Sequence, residues 1–271
     1  MNADRLRALL ELRHDEAGRT VLPVLDTAAA RVFGGQMLAQ LIAAAAPAGA
    51  GKAVKSLHVL FPREARPQSQ LYLELETVHE GRSLGSRRAE VWQDAQDGRR
   101  VVATASILLD RADEGHDYQL DVPLPVDPAD AKPEAFAVVP GESRLISGVG
   151  LQDDRAGAAE FGFWMRCEDV PAQAVVAYVS DWPVIGTLLK AMPGVSERDA
   201  HASLQTGVVS HSIWFHQPFE AAQWLQVEVR GQRLAGGRGF GTGSVYTQSG
   251  ALVASFAQES VIRKSVTGRT S

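Results

Sequence analysis

The sequence predicts an α+β chain of two tandem repeats, each an antiparallel β-sheet wrapped around one central α-helix. Three observations lead there. Apolar residues recur at helical spacing twice, as Met37, Leu38, Leu41, Ile42 and Ala45 and again as Val184, Ile185, Leu188, Leu189 and Met192. A segment ending in phenylalanine follows each, at residues 56–61 and 210–215. Alternating runs come next at the same offset of 154 residues as the two phenylalanines: Leu71, Leu73 and Leu75, then Leu225, Val227 and Val229, each set interleaved with polar or wider side chains. Strict alternation marks half-buried antiparallel strands.

Taken in order, residues 1–16 mix Arg5, Arg7, Glu11, Arg13, Asp15 and Glu16 among leucines, which is no signal-peptide core. The first core helix is expected over 35–46. It carries almost no charge on any face and should be buried all round, with alanines keeping it slim. Strands are expected at 56–61, 71–76, 88–94 and 101–109. Residues 111–141 hold Pro123, Pro125, Pro128, Pro133 and Pro140 among many acids. That composition predicts an extended linker between an N-terminal domain of 1–110 and a C-terminal domain of 142–271. In the second half a strand is expected at 162–167 and a helix at 184–192. Ser180 and Asp181 are candidate N-caps for that helix, with Pro183 in its first turn. Strands at 210–215, 225–230, 243–247 and 252–262 complete the copy.

Among the 271 residues, 27 basic and 32 acidic side chains give a net charge of −5, and 45% of residues are hydrophobic. A chain that covers nucleic acid through a basic surface would lean the other way, so that partner is excluded. Cys167 stands alone, which rules out an internal disulfide and a cysteine-rich metal site; it reads as a small buried hydrophobe. The uncharged stretch at 41–46 falls far short of the ~20 residues of a membrane span. A reducing cytoplasm is the expected location.

Generic motifs give little. Gly81, Ser83 and Gly85 match the G-x-S-x-G nucleophile elbow, but that elbow runs from a strand into a helix. Here another alternating strand follows, so a hairpin turn is the better reading. Gly236, Gly237, Gly239, Gly241 and Gly243 fit no phosphate-loop register and read as a bulge or a close backbone approach in a strand. His201, His211 and His216 are near in sequence, yet the last two fall on opposite faces of one strand, so no metal site is expected. His58 shares a strand face with Ser56 and Leu60 and reads first as a hydrogen-bonded core histidine.

A combination of segments is more specific. Val32-Phe33-Gly34-Gly35-Gln36 leads into the first helix, followed by Ser56-Leu57-His58 and Gly81-Arg82-Ser83. The second half carries Ser180-Asp181, Ser210-His211 with Trp214-Phe215-His216, Gly237-Arg238-Gly239, and Leu252-Val253-Ala254-Ser255 with Gln258-Glu259. In this order and spacing the chain resembles the acyl-CoA thioesterase II (TesB-like) family, the double hotdog thioesterases, from about Val21 to Arg263.

The resemblance implies hydrolysis of fatty acyl-CoA to free acid and coenzyme A, with no cofactor and no metal. It also implies a homo-oligomer, since such proteins associate through their sheets. Gly34, Gly35 and Gln36 would receive the acyl carbonyl at a helix N-terminus, with His58, Arg88 and Arg238 as further substrate-binding candidates. Lys52, Lys55, Arg63, Arg66 and Arg87 join Arg88 as candidates for the coenzyme phosphates. Catalysis in the family rests on an aspartate, a hydroxyl residue and a glutamine that hold a water. Matching the segments puts Ser210 at the aspartate position, Gln232 at the hydroxyl position and Gln258 at the glutamine. A serine is a poor base, and losing a general base costs about 10²–10⁴-fold. Asp181 and Glu259 are the candidate substitutes. A non-hydrolytic acyl-CoA or lipid-binding protein is the alternative reading.

Overall fold

The computed structural model describes residues 1–25, 29–49, 51–120, 126–146, 150–153, 155–197 and 203–264. The N-terminal half contains α1 (Ala3–Leu10), β1 (Arg13–His14), β2 (Thr20–Leu22), α2 (Gly34–Ala45), β3 (Ala53–Leu60), β4 (Leu71–Glu80), β5 (Leu84–Ala95) and β6 (Gly98–Asp110). Two short strands, β7 (Lys132–Pro133) and β8 (Glu142–Leu145), lead into the second half. That half contains β9 (Glu160–Arg166), α3 (Ala172–Ser180), α4 (Pro183–Leu189), β10 (Leu204–Phe215), β11 (Leu225–Ala235), β12 (Arg238–Thr247) and β13 (Leu252–Lys264).

All thirteen described strands form one sheet. From its middle outward the order is β3-β6-β5-β4-β2 on one side and β10-β13-β12-β11-β9 on the other. The two repeats therefore occupy matching places. They are welded by the antiparallel pair β3–β10, in register from Ser210 opposite Leu60 to Trp214 opposite Ser56. This is the double hotdog architecture. The G-x-S-x-G match is a hairpin, as its pattern predicts: the Gly81 amide donates to the Leu84 carbonyl between β4 and β5.

Helix α2 begins at the Gly34–Gly35 pair and ends just before Pro47, and residues on all its faces are buried, Met37, Leu38, Ala39, Leu41 and Ile42 among them. Removing a leucine-sized side chain from such a rod would cost about 2–5 kcal/mol. Its two buried amides, Gln36 and Gln40, both donate to the Pro23 carbonyl, at 2.9 and 2.7 Å. They tie the chain before the helix to one side of it and leave no buried polar group unpaired there.

One expectation needs correction. Helical periodicity puts the second core helix at 184–192, but the helix packed against α2 is α3, twelve residues earlier. Ala174, Val175, Val176, Ala177, Tyr178 and Val179 are all buried, so α3 is apolar on every face and shows no periodic stripe. Helix α4 has the stripe because it lies on the sheet. The glycines of β11 and β12 make room for it: a Cβ at Gly231 or Gly239 would press on Leu188, and one at Gly241 on Val184, each within 3 Å. Ser180 and Asp181 consequently close α3 instead of capping α4, whose N-cap, Trp182, makes no side-chain cap bond.

Residues 111–120 carry no regular element, and Pro123 and Pro125 lie outside the described residues. Beyond them the connector lies on the outer side of the C-terminal sheet, where Trp164 Nε1 donates to the Val126 carbonyl and Arg144 to the Pro128 carbonyl. The run 172–189 is apolar enough in length and composition to cross a membrane, but 78% of it is buried inside the protein.

Candidate active site

The two core helices pack against each other, and the first turn of α2 approaches the last turn of α3. Glycine is required for that approach. A Cβ at Gly35 would overlap the Tyr178 carbonyl and the Phe33 ring, and one at Gly34 would come within 2.9 Å of the Asp181 carboxylate. With both side chains absent, the Gly35 amide donates to Asp181 Oδ2 at 3.0 Å. Asp181 thus sits on the positive end of α2 while being only 4% exposed. Burial pushes its carboxyl up to about 7; the Gly35 hydrogen bond and the charge of Arg31 pull the other way without cancelling it. Arg31 is itself anchored by Glu64 at 2.7 Å and by the Thr206 carbonyl.

The sheet supplies the facing wall. His211 on β10 lies directly opposite Gln258 on β13, and both point into the core. The Asp181 carbonyl can only accept, as can its carboxylate when ionised, so the Gln258 amide turns its nitrogen toward them. In that orientation Nε2 is 2.9 Å from His211 Nδ1, 3.2 Å from the Asp181 carbonyl and 3.3 Å from Asp181 Oδ1, while Oε1 accepts from Ser260 Oγ at 3.1 Å. His211 is buried completely, which pushes its imidazole down to about 4 and keeps it neutral at physiological pH. A carboxyl poised near neutrality beside an amide that can hold a water is equipped for general-base chemistry.

The structure gathers only some of the candidates named by the sequence. Gly34, Gly35 and Gln258 come together around Asp181. Ser210 does not join them: it pairs with Glu259, on the face of β10 opposite to His211. Glu259 shares that outward face, and Arg238 lies 4.0 Å from it. Gln232 is exposed and donates to Thr242 Oγ1 at 2.8 Å. Gln36 holds the segment before its own helix. His58 is half-buried on the outer face of the sheet, bonded to Ser212 and Ser56 at 3.0 and 3.2 Å, with its ring edge against Trp214. Arg88 pairs with Glu76 at the surface.

The basic candidates are likewise dispersed. Lys52 and Arg87 are buried around Glu80, Arg63 reaches the Val101 carbonyl, and Lys55 the carbonyl of His216. Cys167 is buried, and burial raises its thiol. His211 faces inward while His216, just beyond β10, is exposed and bonded to Ser255; His201 lies outside the described residues.

Asp181, named by the sequence only as a substitute base, carried a signal for its central place that periodicity overlooks. Asp181 is the sole charge in the apolar run 172–189, and a charge inside a core helix pair marks a functional candidate.

Comparison with known proteins gives a consistent result. The family model for the acyl-CoA thioesterase N-terminal domain matches residues 23–109, and that for the acyl-CoA thioesterase C-terminal domain matches residues 120–262. Acyl-coenzyme A thioesterase 8 of Mus musculus is 26% identical over 265 residues, covering 86% of this chain and 80% of that protein. Acyl-CoA thioesterase 2 of Haemophilus influenzae is 24% identical over 258 residues, covering 86% and 88%. The solved structure of an acyl-CoA thioesterase II from Mycobacterium marinum is 25% identical, with a TM-score of 0.75 over 96% of this chain and 99% of that one. A protein of Alicyclobacillus acidocaldarius described as having a hot dog fold is 20% identical, with a TM-score of 0.76 over 97% and 99%, a likeness of fold.

Proposed function

The chain belongs to the acyl-CoA thioesterase family, and from that premise we propose that it hydrolyses acyl-CoA to free acid and coenzyme A with Asp181 as general base and Gln258 holding the attacking water. The water lies against the Asp181 carboxylate and the Gln258 amide. As its oxygen attacks the thioester carbon, its proton passes to Asp181. The carbonyl oxygen takes up negative charge, which the positive end of α2 stabilises. When the tetrahedral intermediate collapses, the carbon–sulfur bond breaks and the sulfur leaves with the proton that Asp181 received. No cofactor enters any step.

One observation carries this reading: the only carboxylate beside Gln258 among the described residues is Asp181, seated on a helix N-terminus and titrating near neutrality. The alternative of a non-hydrolytic acyl-CoA-binding protein is motivated by serine at position 210. With a carboxylate supplied from α3, that motive falls away.

The test is thiol release from acyl-CoAs of several chain lengths. The native protein should release coenzyme A, and Asp181→Asn and Gln258→Ala should each abolish most of it. Native release no faster than that of the double variant would overturn the proposal.

A further inference from the structure

We propose that Ser180 and His211 are positioning residues for this reaction: by fixing which imidazole nitrogen carries the proton, they fix which way the Gln258 amide faces. One hydrogen-bonded chain, from Ser180 to Ser260, has a fixed polarity. Ser180 Oγ lies 3.0 Å from the Ala177 carbonyl and 2.9 Å from His211 Nε2. A carbonyl only accepts, so the single hydroxyl proton goes to Ala177, and Ser180 Oγ is left to accept. His211 must then carry its proton on Nε2.

A neutral imidazole protonated there has a lone pair on Nδ1, 2.9 Å from the Gln258 amide. That lone pair needs a donor, and only Nε2 of Gln258 can be one. Its second amide hydrogen is thereby turned to the Asp181 side, where the proposed water lies, while Oε1 receives the hydroxyl proton of Ser260. Every member has one role, and reversing any of them sets two acceptors face to face.

The surroundings hold the chain still. Phe256 stacks on the His211 ring, with centroids 5.8 Å apart and planes 18° from parallel. The Phe256 ring in turn occupies the space that a Cβ at Gly243 would fill. Ser180 bonds to the Ala177 carbonyl and to His211, and His211 to Gln258, so both act on the reaction through the Gln258 amide.

The inference uses the proposed reaction only for its kinetic consequence, and the experiment separates the two. In the 15N-labelled native protein at neutral pH, histidine ring spectra should show His211 as the neutral Nε2–H tautomer. An Nδ1–H tautomer or an imidazolium would overturn the proposal whether or not acyl-CoA is hydrolysed. In Ser180→Ala the acceptor is gone, so both tautomers should appear. Its kcat should fall roughly 10- to 100-fold with KM within about twofold, because an inverted amide removes an interaction of the transition state.

Thr187→Val is the control. It deletes another buried hydroxyl that donates to a carbonyl, Pro183 at 2.7 Å, and should leave kcat and the tautomer unchanged. Equal kinetic losses in the two variants would overturn the positioning role. If native protein releases no thiol yet shows the Nε2–H tautomer, the relay stands and the reaction is what fails.

Discussion

Gly35 and Asp181, 146 residues apart, are joined by a 3.0 Å hydrogen bond from a helix N-terminus in one repeat to a carboxylate in the other. The bond makes the site a joint product of the two repeats: the anion comes from one half and the helix end that holds it from the other.

Asp181→Asn should separate chemistry from stability. The neutral amide cannot take a proton from water, so kcat should fall about 10²–10⁴-fold. Stability should move the opposite way. Because the folded carboxyl titrates near 7 and the unfolded one near its ordinary value of 3.8, the folded state binds the extra proton between those two values. Native stability is therefore lost as pH rises through that window, at about 1.4 kcal/mol per unit. The variant lacks this slope. Denaturation at pH 5 and pH 8 should show the variant gaining on the native protein at the higher pH.

The same carboxyl sets the pH dependence of catalysis. Arg31 and the Gly35 amide favour its charged form, and burial opposes it; Tyr178, whose hydroxyl is pushed up by burial, and His211, pushed down to about 4, both stay neutral. The acidic limb of kcat/KM should thus rise through an apparent value near 7. A limb centred near 4, or one on which Asp181→Asn and native enzyme coincide, would count against Asp181 as the base.

Gly34→Ala and Gly35→Ala should fail differently. A methyl at Gly34 meets the Asp181 carboxylate at 2.9 Å, the end of a side chain that can swing aside, so activity should drop more than stability. A methyl at Gly35 meets the backbone carbonyl of Tyr178, which cannot move without displacing α3. Overpacking of that kind costs typically 1–3 kcal/mol, seen as a lower Tm.

Strands were legible because alternation reports one buried face: Leu225, Val227 and Val229 point inward as their pattern requires. Helix α2 was legible from the helical spacing of Met37, Leu38, Leu41, Ile42 and Ala45. Helix α3 was not, since its run 174–179 is apolar at every position and shows no spacing, and the second visible stripe belonged to α4. In the site, Gly34, Gly35 and Gln258 could be named from their local motifs. Ser210 lies apart from them by parity: neighbours on a strand face opposite ways, and His211 takes the inward position. The pairing of Asp181 with Gly35 depends on two helices meeting across the repeats, which no local pattern contains.

That parity argument yields the last prediction. If Ser210 or Gln232 activated the water, Ser210→Ala and Gln232→Ala would cost the factor of roughly 10²–10⁴ expected of a general base. Ser210 lies beside Glu259 on the outward face, and Gln232 is exposed and bonded to Thr242. Substitutions away from core and site change stability by about 0.5 kcal/mol or less, so both variants should keep kcat within about threefold of native. Gln258→Ala, on the strand pair of Ser210 but facing inward, should lose about 10²–10³-fold, the usual effect of removing one preorganised donor. Measuring the three side by side with one acyl-CoA separates the inward from the outward face of β10 and β13: a large loss in Ser210→Ala would mean that the strand is turned over at the bulge between Val208 and Ser210, and that the serine faces the water after all.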